Sequence, residues 1–166
     1  MNQTLETMWK RRSIRKYKPD PVTPQDLNLI LEAARLAPTS NNAQNWRLIV
    51  VQDPLLRKQT AAACDHQMWI ADAAVILCMV TMPGEGAVNG TIVLDHAILA
   101  ATSLGYGTCL IWAYQSAEVK LVLGIPPEYG IWCLTPIGVP AEEPPARTRK
   151  PPAELFMQDR FGQPFD

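Results

Sequence analysis

The chain has two histidines, and neither His66 nor His96 stands at metal-ligand spacing from a second histidine, a cysteine or a carboxylate pair. A metal site is not expected. Its four cysteines, Cys64, Cys78, Cys109 and Cys133, form neither a CxxC nor a paired zinc spacing. Three of them sit in apolar stretches, where cysteine acts as a small hydrophobe, so they are read as reduced thiols and the cytoplasm as the default compartment. No apolar run exceeds residues 73–80, far short of the roughly 20 residues that span a bilayer. Residues 1–12 carry Thr, Glu and Lys where a secretory signal needs an apolar segment. Neither membrane insertion nor export is expected. Also missing are a GxSxG elbow, an HExxH and a P-loop. Gly105-Tyr-Gly107 starts like a dinucleotide fingerprint, but Leu110 holds the place of its third glycine. Glu142 and Glu143 are adjacent, so their side chains diverge and are read as solvated rather than as an acid-base pair. His96, beside Asp95 on a presumed helix, receives no catalytic role.

What is present suits one domain spanning residues 1–166: 48% hydrophobic and 19% charged residues place the chain among globular proteins. A first helix is expected after Thr4 as N-cap, ending near Arg12. A second opens on Thr23 and Pro24, with Leu27, Ile30, Leu31 and Ala34 on one face, and Pro38 stops it. Residues 46–51 and 74–80 read as strands, the latter fully buried, with a helix-permissive stretch at 54–64 between them. Residues 90–104 form a helix with a face of small residues that includes Ala97 and Ala101, and Gly105 ends it. A strand at 108–112, a helix at 116–123 capped by Ser116 and ended by Gly124, and a strand at 131–137 follow. Residues 139–166 are rich in proline and read as an extended arm whose end carries Leu155, Phe156, Met157 and Phe161.

The net charge is −1, yet the positive charge is clustered. Lys10, Arg11, Arg12, Arg15, Lys16 and Lys18 crowd one stretch, and Arg147, Arg149 and Lys150 another. Local clusters on a near-neutral chain suit a discrete anion better than a long polyanion. Three guanidiniums and a hydroxyl within residues 11–15 make a dense donor set for phosphate oxygens; a solvated basic run, or a nuclear-localisation-like tract, is the other reading. Residues 37–46 pack hydroxyls and carboxamides between a helix and a strand, which fits the edge of a heterocycle or a polar connector capped by its own side chains.

The order RRSIRKY at 11–17, a helix, and APTSNNAQNW at 37–46 resembles the FMN-binding nitroreductases, which commonly read RRSxRxF and then APSxxNxQPW. Agreement continues through LD at 94–95, GYGTCLIW at 105–112, LGIP at 123–126, PIGVPAEEPP at 136–145 and RKP at 149–151. The resemblance covers nearly the whole chain. It implies an α+β fold, a mixed sheet flanked by helices, in an interlocked homodimer with an extended C-terminal arm and FMN at the interface. It assigns Arg11, Arg12, Ser13, Arg15, Arg147 and Arg149 to the FMN phosphate and ring edge. Pro38, Thr39, Ser40 and Asn42 would face the flavin of the opposite subunit, with Gln44 and Trp46 bracing their loop. Ile111, Trp112 and Ala113 are the candidates for a backbone donor to flavin N5, with Arg15 or Arg12 steadying the reduced flavin.

No catalytic side chain is assigned, because the cofactor carries the chemistry. The resemblance further implies NADH or NADPH as donor and a nitroarene, quinone or similar small electron-poor acceptor, taken in turn by a ping-pong mechanism. Same-fold flavoenzymes that dehalogenate, cleave flavin or oxidise azolines remain alternatives. A nucleic-acid module using residues 10–18 is the rival of another class; it leaves the polar loop and the second basic cluster unexplained, so no nucleic-acid partner and no membrane partner are expected. Asp65, His66 and Gln67 stand where many relatives have an asparagine facing the flavin, and Asn45 stands where proline is usual.

Overall fold

The structure, a computed structural model, describes residues 2–84 and 88–165. At its centre lies β2 (Val75–Thr81), all seven residues of which are buried. It pairs antiparallel with β1 (Trp46–Val51) on one side and β4 (Gly130–Gly138) on the other, and β3 (Gly107–Thr108) flanks β4, giving the order β1-β2-β4-β3. These pairings are all antiparallel. The parallel element of the sheet is a single bridge between Ser13 and Thr108.

Side chains alternate across a strand, so β2 feeds two cores. Val75, Leu77 and Met79 enter one layer with α2 (Pro24–Arg35) and α4 (Val88–Ser103). Ile76, Cys78 and Val80 enter the other, with α3 (Pro54–Ala63) and α5 (Ser116–Leu123). Thr23 caps α2 by accepting from Asp26 N at 3.1 Å, and Leu27, Ile30 and Ala34 form its buried face, as their spacing predicts. Ala97 and Ala101 are buried in the same layer. Ala97 and Ala101 on the small-residue face of α4 therefore serve packing within the chain.

Several local expectations differ from the structure. α1 (Gln3–Lys10) is capped by Asn2, whose Oδ1 accepts from Leu5 N at 3.0 Å, so the helix begins before Thr4. Ser116 is the first helical residue of α5 rather than its cap; Gln115 precedes it and sends its side-chain amide to Asp65 at 2.7 Å. Asp53, two residues beyond β1, caps α3 by accepting from Leu56 N at 2.8 Å. The strand expected at 108–112 breaks after Thr108, and only Ile111 rejoins β4, opposite Leu134.

Two glycines let the N-terminal segment lie on the sheet. Gly107 and Gly138 are partners in the β3–β4 register. A Cβ on Gly107 would meet the Ile14 side chain at 2.7 Å, and one on Gly138 would meet Tyr17 at 2.9 Å. Residues 16–18 then pair with 139–141: Lys18 N donates to Val139 O at 2.8 Å and Ala141 N to Lys16 O at 2.9 Å.

Beyond this point the chain is less extended than its prolines suggest. After α6 (Pro152–Leu155) it turns back on itself, with Met157 bridged to Pro164. Among the described residues no hydrogen bond or ion pair joins 155–165 to 2–150. Leu155, Phe156 and Phe161 are exposed there, Phe161 at 95%. No described helix is long and apolar enough to cross a membrane.

Candidate functional site

At the end of α1 the backbone leaves the helix at Arg11 (φ −54, ψ 130), and Ile14 N donates to Thr108 O at 2.9 Å. This anchors a run of cationic residues along the sheet edge. Opposite it returns the stretch 144–149. Between them lies a cleft of about 480 Å³ lined by Arg11, Arg12, Ser13, Arg15, Arg147 and Arg149, flanked by Met8 and Trp9. All six basic and hydroxyl positions expected to grip a phosphate thus share one cavity, although the two groups lie at opposite ends of the sequence.

The cleft lining contains no carboxylate. Nor does any described ion pair involve its arginines, since the pairs are Lys10–Glu6, Arg35–Glu32 and Lys150–Glu154. Five guanidiniums facing one space repel each other unless an anion joins them, so the donor set fits a phosphate group. Arg12 is different in kind. Its Nη1 donates to the carbonyls of Trp9 at 2.7 Å and Arg11 at 2.8 Å, closing the C-terminal end of α1, while its Nε is buried without a partner. An unpartnered buried donor at a cleft wall is a place for a ligand oxygen. Beside this wall, burial pushes the Cys109 thiol up against the opposing pull of Arg15, Ser13 and Arg11.

The polar loop does not line this cleft. Pro38, Thr39, Ser40 and Asn42 sit in a tight turn in which Asn41, Asn42 and Gln44 have φ of 52°, 54° and 49°. Asparagine tolerates that left-handed region better than most residues. Thr39 Oγ1 accepts from Gln44 N at 3.1 Å, and Gln44 Nε2 donates to Asn42 O at 3.2 Å, so Gln44 braces the turn as expected. Asn89 ties it to α4, accepting from Ser40 N at 3.3 Å and donating to Asn45 Oδ1 at 2.9 Å. Trp46 packs against the core with its indole Nε1 buried and unpartnered.

Ile111, Trp112 and Ala113 lie apart from the cleft lining as well, and they are not equivalent. Ile111 N donates to Leu134 O at 2.8 Å, which commits its amide to the sheet. The amides of Trp112 and Ala113 have no acceptor among the described residues. Trp112 meets Trp132 edge to face at 5.1 Å, and the two indoles wall a cavity of about 270 Å³ with Asp95 and His96 at its side. Gln67 Nε2 donates to Ala113 O at 3.1 Å, and Asp65 holds Gln115, so two residues of the 65–67 turn brace the 113–115 stretch.

Sequence reasoning missed Glu142. Its Oε1 accepts from Arg15 N at 2.6 Å and Lys16 N at 3.2 Å, so it is not the solvated carboxylate expected. No local signal could have found it, because its partners lie some 126 positions away.

The chain matches the model of the nitroreductase family over residues 9–77 and 66–139. It is 32% identical over 154 residues to a putative NADH dehydrogenase/NAD(P)H nitroreductase of Archaeoglobus fulgidus, covering 86% of this chain and 88% of that one. To the NAD(P)H FMN reductase of Bacillus subtilis it is 30% identical, covering 97% of this chain and 75% of the relative. Among solved structures, the NADPH:FMN oxidoreductase of Vibrio harveyi complexed with NAD+ superposes with a TM-score of 0.91 at 25% identity, over 98% of this chain and 79% of that one.

Proposed function

The chain belongs to the nitroreductase family and is an FMN-dependent NAD(P)H oxidoreductase, and we propose that it passes electrons to a nitroaromatic, quinone or similar electron-poor acceptor by a ping-pong mechanism. The observation that carries the cofactor's placement is the convergence of Arg11, Arg12, Ser13, Arg15, Arg147 and Arg149 on one cleft free of carboxylates. These residues hold the FMN phosphate and ring edge. When bound, FMN supplies the reversible redox chemistry that no side-chain constellation here offers.

The chain's own part is to bind, orient and polarise. Arg15 is the cation for the pyrimidine edge, because the Nη1 of Arg12 is engaged by the end of α1. Trp112 and Ala113 remain as backbone donors to N5 once the Ile111 amide is committed to Leu134. Of the 65–67 turn, Asp65 and Gln67 hold their neighbours by hydrogen bonds, which leaves the exposed His66 to face the ring. Pro38, Thr39, Ser40 and Asn42 do not line this cleft, so they are assigned to the flavin of a second subunit. The exposed Trp9, Phe156 and Phe161 supply apolar surface for such a homodimer. A soluble cytoplasmic setting suits four unpaired cysteines.

The test is the visible spectrum of the purified protein, followed by anaerobic stopped-flow mixing with NADH or NADPH and then with an acceptor panel. A yellow protein bleached by nicotinamide and recoloured by nitroarene or quinone, with parallel double-reciprocal plots, is expected. A colourless protein that binds no added FMN sinks the reading, and intersecting plots sink the ping-pong order.

A further inference from the structure

Glu142 is the last point at which the C-terminal basic cluster is tied to the body of the protein. Before it, residues 139–141 are paired with 16–18. At it, the carboxylate grips the amides of Arg15 and Lys16. After it, residues 143–149 make no hydrogen bond or ion pair among the described residues. Pro144 and Pro145 have fixed φ and stiffen the short path to Arg147. Where Arg147 and Arg149 stand is therefore set by the direction in which the chain leaves Glu142.

Resting on the flavin reading above, we infer that Glu142 is a positioning residue for the anion cleft. By holding the Arg15 and Lys16 amides it keeps the two basic clusters face to face, so that both reach one phosphate. Electrostatics alone gives the opposite sign: a carboxylate beside a phosphate site repels the ligand, and its removal would tighten binding. Positioning predicts that removal loosens it. The sign of the effect separates the two.

The experiment follows FMN release from flavin-loaded protein on dilution, read as recovered flavin fluorescence, with riboflavin binding measured in parallel. Glu142→Ala is expected to raise the FMN Kd about tenfold through loss of two hydrogen bonds to a charged acceptor. Glu142→Gln, which keeps an acceptor oxygen, should stay within about threefold of wild type. In an Arg147→Ala/Arg149→Ala background, Glu142→Ala should change the Kd by less than about twofold, because the residues it acts through are gone. Riboflavin, which keeps the ring edge that Arg15 faces but lacks the phosphate, should lose clearly less affinity than FMN on going from wild type to Glu142→Ala.

Unchanged or tighter FMN binding by Glu142→Ala, equal losses for riboflavin and FMN, or the full loss persisting without the two arginines overturns the inference. Where the alanine variant does not fold, Glu142→Asp decides: it keeps the charge but is one methylene shorter, so weakened FMN retention supports positioning and wild-type retention overturns it. Wild-type protein that holds no FMN overturns the flavin reading itself, an outcome distinct from every variant result.

Discussion

The side chain of Ile14 occupies the space above Gly107, 2.7 Å from where a Cβ on that glycine would stand. This contact lets residues 11–15 lie flat on the edge of the sheet, next to the Ser13–Thr108 bridge. Gly107→Ala should therefore lift the segment that carries three of the cleft's arginines. Overpacking of this kind destabilises by about 1–3 kcal/mol. Thermal unfolding and FMN titration should show both a lower Tm and a raised Kd. A variant with wild-type values in both would show that the segment does not need this close approach.

Arg149→Ala should weaken FMN binding by about 10- to 150-fold, the range for a charge-assisted hydrogen bond of roughly 1.5–3 kcal/mol. Arg12→Ala should weaken it similarly and also lower the Tm, because Arg12 closes the end of α1. The split between the two readouts is the check. Unaltered FMN affinity in both variants would remove the phosphate from this cleft.

Deleting the residues after Pro152 removes Leu155, Phe156 and Phe161, which the described chain leaves exposed. If a second subunit covers them, the truncation should weaken the dimer, and flavin occupancy should fall with it because interface and site are then one structure. Light scattering and the flavin absorbance ratio, followed over a dilution series, test the linkage. A full-length monomer saturated with flavin would contradict a shared site.

Burial pushes the thiols of Cys64, Cys78 and Cys133 up to about 12 from an ordinary 9.0. A neutral thiol in the native state and an ionised one in the unfolded state make stability full below the ordinary value and falling as pH rises from there toward 12. Each thiol contributes up to about 1.4 kcal/mol per pH unit across that window. Denaturant unfolding at pH 7, 9 and 10.5 should show a flat then declining stability, and thiol reagents should leave the native protein unmodified at pH 8. Rapid native-state labelling of these three cysteines would contradict their burial.

Much of this molecule follows from local rules. The spacing of Leu27, Ile30 and Ala34 determines which face of α2 is buried, and Thr23 with Pro24 starts it. The apolar run around Val75 marks the central strand. Gly105 and Gly124, at φ +87° and +65°, end their helices because a left-handed residue there relieves the last carbonyls. The residue types for an anion site are visible too, but the first basic cluster by itself reads equally well as a solvated run, and the family resemblance rather than a local rule ties it to the second. Tertiary structure alone decided how these pieces are used. Ala97 and Ala101 pack inside the chain, because which helix meets a small-residue face depends on the sheet that places them together. Ile111 and its two successors differ because only one of them falls opposite Leu134. Glu142 became an anchor through two amides far away in the chain, and hydrogen bonds between distant backbone groups leave no trace in local sequence.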